Sequence, residues 1–505
     1  MEVRHTRLGR LLLPSLSDCL FVSLLVLLFG TGGRWATLLA DGDSGWHIRT
    51  GEFILDHRQW PFRDLFSFSK AGQPWYAWEW LSDLLFAAVF RALGLKGLVL
   101  ASGLVITASA ILVLRHMIWR GANAFLAVAL TMLSVGAASI HYLARPHVFT
   151  LLLWAVSLLV LERDRRQPTR AVWLLVPLTA LWTNLHGGWV ALPASLAVLA
   201  AGSVIEALLN PPAAGRWFRT RRYSALALAS SLASLANPYG PRLHLHIVRY
   251  LRSDWIRNMV DEFQSPKFRS ENSLHFEIIL FAGLMLAAWL LSRREVAEAL
   301  LLLAWAHAAL VSARHVPLFV ILAAPPVAAA ASLLWTRWTE GKPAKSVLVI
   351  LDRVATDLAP GFRHTSLWIA LGVLALVLFT PAAHWPRNFP QQKFPVELIE
   401  RQRGRLEGSR VFTSDQWGDY LIYRFYPRQK VFIDGRSDFY GPEIGKQYLR
   451  TVQAHPDWRK VLDGYSMNLV VAHPEWPLAN LLQQVPGWRL VDRDSTALLF
   501  ERTGP

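Results

Sequence analysis

Two carboxylates separated by one glycine, in Asp41-Gly-Asp43-Ser-Gly-Trp46-His47, are the residues of this 505-residue chain best suited to chemistry. In extended backbone, side chains at i and i+2 project to the same side, so Asp41 and Asp43 can share one divalent cation or one proton. Hard oxygen donors suit Mg²⁺ or Mn²⁺. Without a metal, paired like charges raise one pKa and supply a general base. Acidic residues and glycine also simply mark the end of an apolar segment at an interface, and the spacing alone does not choose. His47 follows within reach of the same site.

Further groups recur at the breaks between apolar runs. Gly51-Glu52, Trp60-Pro61, Asp64 and Gln73-Pro-Trp-Tyr-Ala-Trp-Glu79-Trp80 make a loop rich in aromatic residues. Trp and Tyr favour the headgroup level of a membrane, while Glu79 can accept hydrogen bonds from sugar hydroxyls. Asn184-Leu-His186-Gly-Gly interrupts one long apolar stretch, and its glycines allow close approach of a ligand or another backbone. Asn184 and His186 can therefore contact a phosphate or a sugar hydroxyl, or satisfy backbone groups freed at the helix ends. Arg145 and His147 flank a proline, and Arg314-His315 open another run. Arginine pairs bidentately with phosphate, which fits an anionic ligand; ion pairs to Asp41, Asp43 or Glu262 are the alternative. Asn237-Pro-Tyr-Gly is turn chemistry, residues 244–257 have the spacing of a helix lying on a membrane surface, and Asp261-Glu262 ends that loop, with Glu262 a second acidic candidate or a solvated loop residue.

These groups need elements to hold them, and composition says which. Hydrophobic residues make up 53% of the chain and charged ones 17%, against about 25% charged in soluble domains. Apolar runs of about 20 residues, the length that spans roughly 30 Å of hydrocarbon, lie near 18–39, 96–118, 122–140, 146–162, 170–185, 188–208, 222–236, 274–292, 295–312, 314–335 and 366–384. The expected fold is thus an α-helical polytopic membrane protein of about 11 transmembrane helices. Cys19 is the sole cysteine, which excludes an intramolecular disulfide and a CxxC metal knuckle. The net charge of +16 sits in short clusters between apolar runs, which reads as membrane topology and not as a nucleic-acid footprint.

The first run follows Arg4, Arg7 and Arg10 as a signal peptide would, but Leu38 spoils the small-x-small cleavage pattern, so it reads as an anchor with a cytoplasmic N-terminus. Alternate turns then carry Arg115 and Arg120; Arg163, Arg165, Arg166 and Arg170; Arg216, Arg219, Arg221 and Arg222; Arg293 and Arg294; and Arg337, Lys342 and Lys345. Every second turn is basic, as the positive-inside rule requires. The acidic, histidine and glycine motifs fall on the other side. Residues 1–384 form the membrane body with outer loops at 41–95 and 237–273, and 385–505 a small extracytoplasmic α/β domain. Its expected strands are Arg410 to Thr413, Val431 to Asp434, Asn468 to Ala472, Trp488 to Val491 and Ala497 to Glu501, with helices near 442–453 and 477–485. Asp415-Gln-Trp-Gly-Asp-Tyr420 and Asp434-Gly-Arg436-Ser-Asp438 suggest a ligand platform, or an ordinary turn with Arg436 paired to Asp438.

An acidic motif just after the first span, many spans and a soluble C-terminal domain resemble the GT-C superfamily of membrane glycosyltransferases, which includes protein O-mannosyltransferases, aminoarabinose transferases and oligosaccharyltransferases. The motifs Asp-Gly-Asp-Ser-Gly-Trp-His, Asn-Leu-His-Gly-Gly, Asn-Pro-Tyr-Gly and Phe-Ile-Asp-Gly-Arg-Ser-Asp-Phe-Tyr also look like those of poorly characterised bacterial members. The resemblance implies a bacterial cytoplasmic-membrane enzyme that moves a sugar from a polyprenyl-phosphate carrier to a glycan, lipid or protein acceptor on the outer face. Asp43 or Asp41 would then be the base in an inverting attack, and Arg145, His147, His186, Arg314 or His315 would steady the departing phosphate. Members with and without a metal both exist. The competing classes are a transporter or flippase and a non-enzymatic envelope assembly subunit. Transporters usually place ionisable groups near the bilayer midplane and carry inverted repeats; here the acids cluster at the outer boundary and no repeat is visible.

Overall fold

A computed structural model describes residues 11–210, 215–270 and 273–504; Arg4, Arg7 and Arg10 lie outside them. The chain is mostly helical. In order come α1 (Leu16–Leu25), α2 (Ser44–His57), α3 (Trp80–Trp119), α4 (Ala124–Ala138), α5 (His147–Arg166), α6 (Leu175–Leu185), α7 (Ala191–Leu209) and α8 (Phe218–Ala233). They are followed by α9 (Pro241–Arg252), α10 (Asp254–Met259), α11 (Ser273–Ser292), α12 (Val296–Val311), α13 (Val316–Thr339), α14 (Val347–Leu358) and α15 (Trp368–Phe379). Each of the apolar runs contains a helix. By length and composition, 5 helical stretches among the described residues can cross a membrane: Trp80–Trp119, Ala124–His141, Gly187–Leu209, Ser273–Ser292 and Ala313–Thr339. Leu16–Gly30, Val296–Val311 and Trp368–Phe379 are shorter apolar helices. The remaining runs fall short because their helices are brief or, as in α5 with its Glu162-Arg-Asp-Arg-Arg166 end, charged.

The longest helix joins two segments that look separate in sequence. Residues 81–93 and 96–118 belong to one 40-residue helix, α3, bent at Gly94 with φ 64° and ψ −158°. L side chains rarely adopt that conformation. At about 1.5 Å per residue such a helix exceeds the hydrocarbon thickness, so its N-terminal part reaches past the bundle and carries Trp80 and Asp83 to the site. Around it pack α2, α4, α5 and α13.

Charge separates to the two ends of the bundle. At one end Arg120 meets Glu162 at 3.2 Å and Glu298 at 3.1 Å, Arg165 meets Glu298 at 2.9 Å, and Arg222 meets Asp164 at 2.6 Å. These arginines come from the turns assigned to the cytoplasm. The acids and histidines of the other turns gather at the opposite end.

The C-terminal segment carries a four-stranded sheet of order β1-β2-β4-β3, formed by Val411–Phe412, Leu469–Ala472, Trp488–Arg493 and Leu498–Arg502. β1 runs parallel to β2, and the other pairs are antiparallel. Among the helices of the same segment, α16 (Asp415–Phe425) and α17 (Ser437–Val452) are the longest. Val431 to Asp434, expected as a strand of this sheet, is not one. It pairs with the first loop instead: Val431 N–H donates to the Phe66 carbonyl at 2.9 Å and Phe68 N–H to the Val431 carbonyl at 3.0 Å. The run is buried and apolar because the loop covers it.

Arg436 locks the two together. Its guanidinium donates to Asp434 at 2.6 Å and to Asp64 of the first loop at 2.8 Å, with Trp75 4.5 Å and Phe66 5.0 Å from it to the ring centroids. The expected partner, Asp438, accepts from His246 of α9 at 2.9 Å, because Asp434 and Asp64 already enclose the guanidinium. On the other flank α16 lies against α2 through the glycines of the acidic motif. A Cβ at Gly45 would stand 2.6 Å from the Asp419 carbonyl oxygen and 2.9 Å from the Tyr423 Cβ. Crowding of this kind costs about 1–3 kcal/mol when no flexible atom can yield. Gly45→Ala is therefore expected to lower unfolding stability by roughly that amount, read as a lower Tm in detergent. Gly404→Ala, with nothing within 4 Å of the added methyl, should leave Tm unchanged.

Candidate active site

Asp41 and Asp43 lie in a turn and not in extended backbone, because Asp41 Oδ1 accepts from the Asp43 N–H at 2.9 Å as the chain enters α2. What unites them is Arg145, from the turn before α5. Its guanidinium sits 3.0 Å from Asp41 and 2.7 Å from Asp43. Glu262, from the second outer loop, approaches the same arginine at 3.9 Å and Arg314 at 3.9 Å. Arg314 is backed by the Phe263 ring, 4.4 Å to its centroid. Glu262 is thus a half-buried partner of two cations, not a solvated loop residue.

A second set stands behind these acids. Trp46 Nε1–H donates to Asp43 at 3.3 Å and its ring lies 3.6 Å from that of His47. His47 Nδ1 is 2.5 Å from Asp83, and its Nε2 faces Glu79 at 3.7 Å. From the far side His186 Nε2 approaches Glu79 at 3.5 Å, while its Nδ1 accepts from the Gly188 N–H at 3.0 Å and lies 2.7 Å from the Thr150 hydroxyl. His147 contacts the His141 carbonyl at 2.5 Å, and His315 the Ala308 carbonyl at 3.2 Å. Asn184 lies apart from the group: its amide donates to the Ala180 and Ala236 carbonyls and accepts from Trp80 Nε1 at 2.7 Å, which closes the helix ends.

Two cavities meet at these residues. The larger, about 1110 Å³, lies between the two long loops and the C-terminal segment, and is lined by Asp41, Asp43 and Arg145 and by Asp415, Tyr448 and Trp476. The smaller, about 360 Å³, continues between helices past Leu151, Ala194, Val198, Trp305 and Leu318. Glu79, His141, Arg145, His186, Glu262 and Arg314 line both. A polar chamber therefore opens through a charged shelf into an apolar one.

Burial and pairing set the protonation of the shelf. Burial pushes the Asp43 carboxyl up to about 7 against the pull of Arg145, with Asp41 and Glu262 adding to the rise. Burial likewise raises Glu79 to about 8. For Glu262 burial works in the same sense, but Arg314 and Arg145 outweigh it and hold the carboxyl below its usual range. Burial, then Arg314 and Arg145, lower His186 to about 3, and burial takes His47 well below its ordinary value. Both imidazoles are neutral at physiological pH. Pairing with two arginines thus favours the anion at Glu262, whereas burial favours the neutral acid at Glu79 and, against Arg145, at Asp43.

The metal expectation finds little support in the donor set. Among the described residues no three His, Cys, Asp or Glu side chains are grouped to hold an ion. Arg145 fills the space between Asp41 and Asp43, a set that does not fit Mg²⁺ or Mn²⁺, which take several oxygen ligands. Sequence reading passed over Asp83 and His141. Asp83 had a signal, an ionisable residue in an apolar helix four residues after Glu79; His141 precedes Arg145 by one turn and offered none.

No protein-family model matches the chain, and no curated protein matches it by sequence. Solved structures do resemble it. The archaeal oligosaccharyltransferase AglB from Archaeoglobus fulgidus, in complex with an inhibitory peptide and a dolichol-phosphate, superposes with a TM-score of 0.54 at 14% identity, covering 91% of this chain and 68% of its own. The Archaeoglobus fulgidus oligosaccharyltransferase tethered to an acceptor peptide does so at 0.54 and 12% identity, over 97% and 74%. The mycobacterial arabinofuranosyltransferase AftD gives 0.46 at 13% identity, over 97% and 40%. Identities this low speak to the fold alone, and the chain shares its fold with these two oligosaccharyltransferases.

Proposed function

We propose that this protein is a membrane glycosyltransferase that moves a sugar from a polyprenyl-phosphate carrier to an acceptor hydroxyl, with inversion at the anomeric carbon. The observation that carries this reading is the meeting of a polar and an apolar cavity at a shelf of arginines, histidines and carboxylates. The isoprenoid chain fits the apolar pocket between helices, the phosphate the shelf, and the sugar the polar chamber. The fold likeness supports the same reading, since one of the similar structures binds a dolichol-phosphate and the other an acceptor peptide.

In this mechanism Asp43 takes the proton of the acceptor hydroxyl. The resulting oxygen attacks the anomeric carbon from the side opposite the phosphate. Arg145 and Arg314 neutralise the charge that develops on the departing phosphate, where preorganised donors in a water-poor site act most strongly. Asp41 shares Arg145 with Asp43 and so adjusts its basicity. We place the chain as a multi-pass protein of a bacterial cytoplasmic membrane, with the N-terminus cytoplasmic and residues 385–505 as an extracytoplasmic domain over the site. Supporting this orientation, Arg120, Arg165 and Arg222 make their ion pairs at the end of the bundle opposite the charged shelf.

Reconstituted protein supplied with a panel of polyprenyl-phosphate sugars should release polyprenyl phosphate, and Asp43→Asn should slow release by about 10²-fold or more, the usual worth of a general base, with unchanged folded yield. Equal rates for the two proteins would remove Asp43 from the chemistry. Because the base must be ionised and burial puts its pKa at about 7, the wild-type rate should fall roughly tenfold per pH unit below that value. A rate flat from pH 7 to pH 5 contradicts the assignment. Single cysteines at residues 43 and 415 should be labelled from the outer side only; labelling from the cytoplasm would reverse the orientation.

A further inference from the structure

Asp41, Asp43 and Glu262 each have an arginine within 4.0 Å. Glu79 lies on the same shelf, lines both cavities, and has no such partner among the described residues. Its neighbours at that distance are two imidazoles, His47 Nε2 at 3.7 Å and His186 Nε2 at 3.5 Å. The hydrogen bonds of His186 fix its tautomer. Nδ1 accepts from the Gly188 N–H, so the ring hydrogen is on Nε2, 3.5 Å from Glu79 Oε1. His47 is held at its other nitrogen by Asp83. Glu79 is only 12% exposed, and a buried carboxylate without a cation is unfavourable by several kcal/mol, which the group avoids by keeping its proton.

We propose that Glu79 works as a neutral carboxylic acid, donating its hydrogen to the phosphate oxygen that leaves the sugar. This rests on the transferase reading and adds a residue to it. A carboxylate at that position would repel the anion, whereas the acid supplies a donor aimed at it. The hydrogen stays on Glu79 throughout. The acceptor's proton goes to Asp43, the C1–O bond to phosphate breaks as the bond to the acceptor oxygen forms, and Arg145 and Arg314 carry the ionic part. The phosphate itself reinforces the protonated state, since a nearby negative charge disfavours ionisation. The groups facing Glu79 are His47 from α2, His186 from the turn before α7, Arg145 from the turn before α5, Arg314 from the turn before α13, Asp43 from the first loop and Asp438 from α17. Burial dominates them and sets the pKa at about 8, so ionisation removes the donor above that pH.

The test is the pH dependence of undecaprenyl phosphate binding, together with turnover of an undecaprenyl-phosphate sugar, for wild type, Glu79→Gln and Glu79→Ala in lipid nanodiscs. Wild type should lose affinity up to about tenfold per pH unit above about 8. Glu79→Gln keeps a neutral donor of the same shape, so its rate at pH 7 should stay within a few fold of wild type and its affinity should not fall above pH 8. Glu79→Ala should lose about 10²-fold in rate, the worth of one such donor. A Glu79→Gln rate as low as that of Glu79→Ala would mean that ionised Glu79 is required and would overturn the proposal. So would wild-type affinity that is flat between pH 7 and pH 9.5, a measurement that needs neither variant to fold. Binding with the expected pH dependence but no turnover would sink the transferase reading while leaving the phosphate donor standing.

Discussion

A buried guanidinium must find anions or it destabilises whatever encloses it, because removing a charge from water costs several kcal/mol that only close partners return. Arg145 meets that condition through three carboxylates from two segments: Asp41 and Asp43 from the first loop and Glu262 from the second. Its position before α5 fixes it to the bundle, so the loops are drawn to the bundle's end and held there. Arg436 repeats the device further out, with Asp434 and Asp64 as its anions and an aromatic wall around it. The two arginines together fasten the first loop between the helices and the C-terminal segment. The cavity between them is the space left once both sets of pairs are made.

The same constraint sorts the acids. Carboxylates near an arginine share its field unequally, since Arg145 is divided among three of them while Glu262 also has Arg314. Glu262 is accordingly pulled below the usual carboxylate range, while burial raises Asp43 against Arg145 and raises Glu79, which has imidazoles in place of arginines beside it. Burial is common to all three. What distinguishes them is how many arginines each faces: Glu262 has two, Asp43 shares one with Asp41, and Glu79 has only imidazoles within 4.0 Å among the described residues.

Close packing makes this geometry possible. Gly42, Gly45 and Gly435 border the acidic pair, and at each a Cβ would run into the facing segment, whether the Gln416 carbonyl, the Asp419 carbonyl or the Asp43 carboxylate. The glycines of Asp-Gly-Asp-Ser-Gly and Asp-Gly-Arg are thus two halves of one contact. In sequence each looks like an ordinary turn.

Much of this was legible in the residues themselves. Hydropathy located the helices, because burial in hydrocarbon depends on the local content of a segment, and the alternation of basic turns separated the two ends. The acidic motif, Arg145, Glu262 and Arg314 could be singled out because charge at the edge of an apolar run needs a reason. Which charge meets which could not be read. Arg145 and Asp41 are 104 residues apart, and Arg436 and Asp64 are 372. Pairing at that separation depends on how helices pack, to within an ångström, and no local property of either residue carries that information. Hence Val431 to Asp434 reads as a strand of its own sheet yet pairs with the first loop, and Asn184 reads equally as a ligand contact or a partner for helix ends, of which the fold takes the second. Asp438 reads as the partner of Arg436 yet binds His246. The sequence by itself determined a helical membrane protein with its ionisable motifs at one end; the tertiary structure alone decided which cation each carboxylate meets, because that rests on distances between segments the chain brings together only when folded.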